Sequence, residues 1–149
     1  MFKVFYDDVE TGHSETFGSY AVTAEEIIEF VTKYDPQPFH LSDDFAKMTP
    51  LGGLCASGWH TCAMMMSMIV ANMKERGVAS LGAPGVSNIN WKIPVRPGDV
   101  LHVKSVVEGK RQSKSRPTLG IVDIHSYVYN NHDQEVMDVV AKVLVACRP

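Results

Sequence analysis

The sequence predicts an α+β domain in which a curved antiparallel sheet wraps one long central helix. Three observations predict it. From Ser57 to Arg76 the pattern is helical, yet apolar residues such as Trp59, Met64, Met65, Met68, Ile69 and Val70 occupy almost every side. A helix apolar all round is a buried helix, and it needs something to wrap it. After this segment come successive alternating, β-rich runs separated by polar or Pro-Gly turns, the mark of antiparallel neighbours. The chain has 149 residues, the size of a single domain, so residues 1–149 are read as one unit.

The elements are read in order. Phe2 to Tyr6 alternates and predicts an edge strand, and an irregular stretch holding Gly12 and Gly18 follows. Thr23 with Glu26 three residues on forms a capping box, and Val22 and Ile27 stand at the positions of a hydrophobic staple. Ile27, Phe30, Val31 and Tyr34 then make one apolar stripe. Pro36 ends that helix, because the residue before a proline is pushed out of the α region. Asp35-Pro36-Gln37-Pro38-Phe39-His40 is predicted extended and stiff, since two prolines forbid a regular helix. Ser42 caps a short helix through Asp43, Asp44 and Phe45. Gly77 stops the long helix. Strands are predicted within Val86–Val95, over Val100–Val107, over Leu119–Tyr129 and over Val136–Cys147.

Composition narrows the function classes. The net charge of −3 gives no general attraction to nucleic acid or to an anionic membrane. No run is long and apolar enough to span a bilayer, and the richest, Thr61 to Ala71, is short. The N-terminal residues lack the pattern of a signal peptide. Cys55, Cys62 and Cys147 form no paired framework and read as reduced thiols, which predicts a cytoplasmic protein. The histidines show no metal-ligand spacing, so no metal is expected.

Three groups carry potential chemistry. Asp35 and His40 are separated by a stiff loop and form an acid–base pair; the plainer alternative is a turn cap beside an ordinary polar histidine. Ser57 and Gly58 open the central helix, whose free amides suit an oxyanion, with a simple helix cap as the alternative. Lys110, Arg111, Lys114 and Arg116 crowd one segment without an acid, fitting either phosphate groups or a solvated hairpin turn. His60 reads as a wall histidine of the central helix.

The segment Tyr34-Asp35-Pro36-Gln37-Pro38-Phe39-His40-Leu41 resembles the motif of MaoC-like dehydratases, including the (R)-specific enoyl-CoA hydratases. The resemblance extends through Asp44-Phe45-Ala46-Lys47, Gly52-Gly53-Leu54-Cys55-Ala56-Ser57-Gly58 and Pro94-Val95-Arg96-Pro97-Gly98-Asp99. It implies a hotdog fold, a homodimer or dimer of dimers, and a hydro-lyase that adds water reversibly to a trans-2-enoyl-CoA. It implies Asp35 and His40 as catalytic residues and the Gly58 N–H at the thioester oxygen, with Ser57 and Trp59 beside it as oxyanion or substrate-binding residues. No cofactor is implied beyond the CoA carried by the substrate. Ser57 stands where relatives often carry a histidine. A hotdog acyl-CoA thioesterase and a non-catalytic acyl-CoA-binding hotdog are the alternatives.

Overall fold

The computed structural model describes residues 1–149. Its regular elements are β1 (Ser14–Ala21), α1 (Ala24–Tyr34), α2 (Pro38–Leu41), α3 (Asp43–Lys47), α4 (Gly58–Arg76), β2 (Gly85–Trp91), β3 (Val100–Gln112), β4 (Leu119–Tyr129) and β5 (Glu135–Ala146). The five strands form one antiparallel sheet in the order β1-β3-β4-β5-β2. The meander β3-β4-β5 is its middle, and β1 and β2 are its edges. The fold is α+β and matches the expectation of a sheet curved around one long helix.

The core lies between α4 and the sheet. Met64, Met65 and Met68 of α4 pack with Leu101, Val103, Val128, Met137 and Val139, and Ile27 of α1 closes the layer. Thr23 Oγ1 accepts from Glu26 N–H (3.2 Å), so the predicted cap of α1 is present, and Val22 and Ile27 are both buried. Glu26 does not return the bond; its carboxylate turns inward to Tyr20 and His60. Gly77 ends α4 in the left-handed conformation (φ 71°).

Three expectations fail. Phe2 to Tyr6 is not a strand: Val4 makes a single bridge to Val78, and Tyr6–Asp8 is a 3-10 turn. The true edge strand is β1, inside the stretch read as irregular. Gly18 breaks its alternation with φ 86°, at a register shift where an added Cβ would strike Met68 Sδ at 2.6 Å. The loop after Pro36 is not extended throughout, because Pro38 takes the first position of a helical turn, where its missing N–H costs nothing.

The third failure concerns α4. His60, Thr61, Met64, Met65 and Met68 are buried, but Trp59, Met66 and Val70 are 60%, 49% and 38% exposed. One sheet of five strands covers one face of a helix. The uncovered apolar stripe starts at Trp59, which meets Trp91 of edge strand β2, and Val86 and Trp91 of that strand are exposed too.

Candidate active site

The turn after α1 brings the two titratable residues together. Asp35 is the C-cap of α1, its N–H bonded to Val31 O (3.0 Å). Pro36 forbids a further helical residue. The chain then reverses: Gln37 N–H donates to Asp35 O (2.8 Å) and His40 N–H to Gln37 O (2.9 Å). His40 Nε2 comes to rest 3.4 Å from Asp35 Oδ2.

The ring of His40 is buried and oriented from behind. Its Nδ1 lies 3.2 Å from the carbonyl oxygen of Cys55. A carbonyl only accepts, so Nδ1 carries a hydrogen. When the ring is neutral, Nε2 is therefore bare and faces Asp35. The gap exceeds the 2.7–2.9 Å of a tight charge-assisted bond, so both groups remain able to reach an atom placed beside them.

Asp35 is held ionised. Burial pushes its pKa up, but hydrogen bonding from Gln37, the nearby Ser57 hydroxyl and the charge of His40 outweigh burial and leave it below the usual 3.8. Gln37 Nε2 donates to Asp35 Oδ1 at 2.7 Å. Ser57 Oγ is buried without a hydrogen bond of normal geometry, so it acts on Asp35 as a nearby dipole.

Both residues open on a cleft of about 430 Å³. Ser57, Gly58, Trp59 and Thr61 from the start of α4 line it, together with the apolar side chains of Trp91, Ile93, Val95 and Val136. Gly58 is the first residue of α4, where an amide has no intrahelical acceptor. Trp91 packs flat on it: Nε1 donates to Gly58 O (2.9 Å), and a Cβ at Gly58 would lie 2.4 Å from the indole. Trp59 meets Trp91 edge-on at 5.2 Å. Arg96 clamps the approach loop through Gly53 O (2.9 Å) and Leu51 O, and Asp99 caps its amide. The Pro-Val-Arg-Pro-Gly-Asp segment thus builds the frame of the cleft.

Asp35, His40, Ser57, Gly58 and Trp59 therefore share one site. Lys110, Arg111, Lys114 and Arg116 do not reach it on the same chain. The cleft lies where β5 begins and β4 ends; these four sit where β3 ends and β4 begins, about 30 Å along the strands. Sequence reasoning missed Gln37, Trp91 and the Cys55 carbonyl. Only Trp91 left a signal, as a large aromatic at the end of a predicted strand. A carbonyl that selects a tautomer leaves none.

His60 lies outside the cleft. Its Nε2 is 3.0 Å from Glu26 Oε1, its ring stacks on Phe30 at 4.6 Å, and Tyr20 donates to the same carboxylate oxygen. Burial and then Glu26 push the Tyr20 pKa up to about 12. This cluster ties β1, α1 and α4 together. Tyr20→Phe should lower stability by about 1–2 kcal/mol in urea denaturation, and an unchanged midpoint would remove the cluster from the account.

The model of the MaoC-like domain family matches residues 9–128. The chain belongs to the MaoC-like family. Among curated proteins, the MaoC-like chain is 24% identical over 125 residues to 3-hydroxybutyryl-CoA dehydratase of Methylorubrum extorquens, covering 80% of this chain and 76% of that one. Among solved structures, it superposes on a MaoC-like dehydratase from Rhodospirillum rubrum with a TM-score of 0.89 and 38% identity, covering 99% of both chains. A Mycobacterium tuberculosis protein described as a double hotdog fold matches with a TM-score of 0.75 and 13% identity, over 98% of this chain and 45% of that one. The hotdog fold expected of this family is the fold described above.

Proposed function

We propose that this MaoC-like chain is a hydro-lyase that adds water reversibly across the double bond of a trans-2-enoyl-CoA, with Asp35 and His40 as its acid–base pair. The observation that carries the reading is the 3.4 Å approach of His40 Nε2 to the Asp35 carboxylate beside the helix-opening amide of Gly58. Conjugation with a thioester carbonyl makes the β-carbon electrophilic. Asp35, held as carboxylate, takes a proton from water as the oxygen adds to that carbon. The electron pair moves to the thioester oxygen, where the Gly58 N–H and the start of α4 stabilise the enolate. Protonated His40 gives its Nε2 proton to the α-carbon. Asp35 now holds the proton taken from water and returns it to His40 Nε2, which restores the pair. The reverse sequence is dehydration, the direction named for the Methylorubrum relative.

A second copy of the chain completes the proposal. Strand β2 has an unpaired edge, and exposed Trp59, which meets Trp91 there, shares one face of α4 with exposed Met66 and Val70. Antiparallel β2–β2 pairing across a two-fold axis would satisfy the edge and cover the stripe in a self-complementary contact. The double hotdog neighbour, of which this chain matches less than half, carries two such units in one polypeptide. Met66→Glu with Val70→Glu should give monomers in sedimentation, while the wild type sediments as a dimer or dimer of dimers; an associated double variant would contradict the pairing.

Product analysis tests the reaction. Incubated with crotonyl-CoA, the protein should yield a thioester heavier by one water, with no free thiol. Release of CoA thiol would instead mark a thioesterase. Ligand-induced thermal stabilisation without any product would mark a binding protein.

A further inference from the structure

The basic segment left outside the cleft has features that a solvated turn does not require. Lys110 and Arg111 end β3, and Lys114 and Arg116 lie in the hairpin that leads to β4. All four are exposed. None makes an ion pair, although five other lysines and arginines do. The hairpin is nevertheless held in shape: Ser113 Oγ accepts from Arg116 N–H (3.1 Å), Gln112 Nε2 donates to Pro117 O (2.6 Å), and Cys147 N–H donates to Thr118 O (2.8 Å). Lys110 stands over the Tyr6 ring at 4.6 Å. Lys110 also donates to Tyr6 O (3.3 Å), and four cations without an ion pair on a held hairpin, on a chain of net charge −3, are suited to a polyanion.

The topology says which cleft it serves. Asn88, at the centre of β2, pairs with Val140, which pairs with His125. If the two-fold axis of the dimer proposed above is set at that level, the middle of the β2 edge, it reverses the partner's strands. The partner's hairpin then lies at the same end of the joined sheet as this chain's cleft. Counting residues from the axis places the hairpin base about 10 Å beyond Trp91 along the strands and about 14 Å across them, three strands away. The resulting distance, roughly 17 Å, is one that an extended pantetheine arm can span.

We infer that the hairpin carrying Lys110, Arg111, Lys114 and Arg116 binds the 3′-phosphate and pyrophosphate of the CoA whose acyl group lies in the cleft of the other copy. The inference rests on the dimer and the thioester site of the proposed function. Each complete site then draws its acid–base pair from one chain and its phosphate contacts from the second.

The test is calorimetric titration of the full-length protein with CoA and with pantetheine, which lacks the nucleotide phosphates. Lys114→Glu with Arg116→Glu should weaken CoA roughly tenfold or more and leave pantetheine unchanged. Equal CoA affinity in wild type and variant would overturn the inference, even if the variant had lost affinity for an acidic acyl-carrier protein. Mixed dimers then decide which chain is served. One chain carries the reversed hairpin, and the other carries Leu51→Trp to fill its cleft. One CoA bound per dimer at wild-type affinity is the expected result. Only weak binding would show that each hairpin serves its own chain, and would overturn the assignment. Enoyl-CoA turnover is measured in parallel. Hairpin-dependent CoA binding without turnover would refute the proposed reaction and leave this inference standing; turnover with hairpin-independent binding would do the opposite.

Discussion

Asp35→Asn should lower enoyl-CoA hydration by about a thousandfold with little change in the fold. The estimate lies within the 10²–10⁴ range for loss of a positioned general acid or base. Asparagine keeps the shape of the side chain and its acceptor for Gln37, but it takes no proton from water. It also removes the carboxylate that would return the proton to His40 Nε2, so the reset step fails as well. The effect on stability carries a sign that separates it from the effect on activity. Asp35 has a folded-state pKa below its ordinary 3.8, so its charge contributes stability above that pH and loses the contribution as pH falls through the lowered folded value. The stability difference between wild type and variant should therefore be constant near neutrality and shrink only below about pH 4. A variant that keeps more than about a tenth of the activity lies outside the expected range and would remove Asp35 from the mechanism.

Gly58→Ala should cost about a hundredfold in kcat/KM, because a shift of about 1 Å at a reacting site is enough for that loss. The added Cβ would lie 2.4 Å from Trp91 Cε2 and 2.7 Å from Cδ2 and Nε1. The indole cannot withdraw without breaking its bond to Gly58 O, and it lines the cleft beside the amide proposed to meet the thioester oxygen. Either the ring enters the cleft or the first turn of α4 moves. Trp91→Ala removes the obstacle, so the cost of Gly58→Ala should shrink sharply in that background, a coupling that a double-mutant cycle measures directly. Additive losses would mean that Trp91 does not set the position of Gly58.

The fold was legible wherever local chemistry and tertiary packing agree. Thr23, Pro36 and Gly77 act within a few residues of themselves, and each begins or ends its helix as the sequence predicts. β1 was hidden because Gly18 breaks its alternation for a reason held elsewhere in the chain, the side chain of Met68. The exposed stripe of α4 was hidden for a related reason. Trp59, Met66 and Val70 are as apolar as their buried neighbours, and composition records that a surface is to be covered without saying by what. At the site, spacing alone left Asp35 and His40 open between an acid–base pair and a turn cap; the resemblance of Tyr34–Leu41 to the MaoC-like motif singled them out, and the structure brings the two side chains to 3.4 Å. Trp91 and the Cys55 carbonyl reach the site only through the fold, across a sheet edge in one case and through a backbone atom in the other.

The central claim is that water adds to an enoyl thioester at Asp35 and His40. Its most direct test follows the enoyl absorbance of crotonyl-CoA with wild type and Asp35→Asn side by side, with a thiol reagent present in both. The account predicts rapid absorbance loss without thiol release in the wild type and almost none in the variant. Equal absorbance loss in the two proteins, or thiol release that keeps pace with it, would contradict the account.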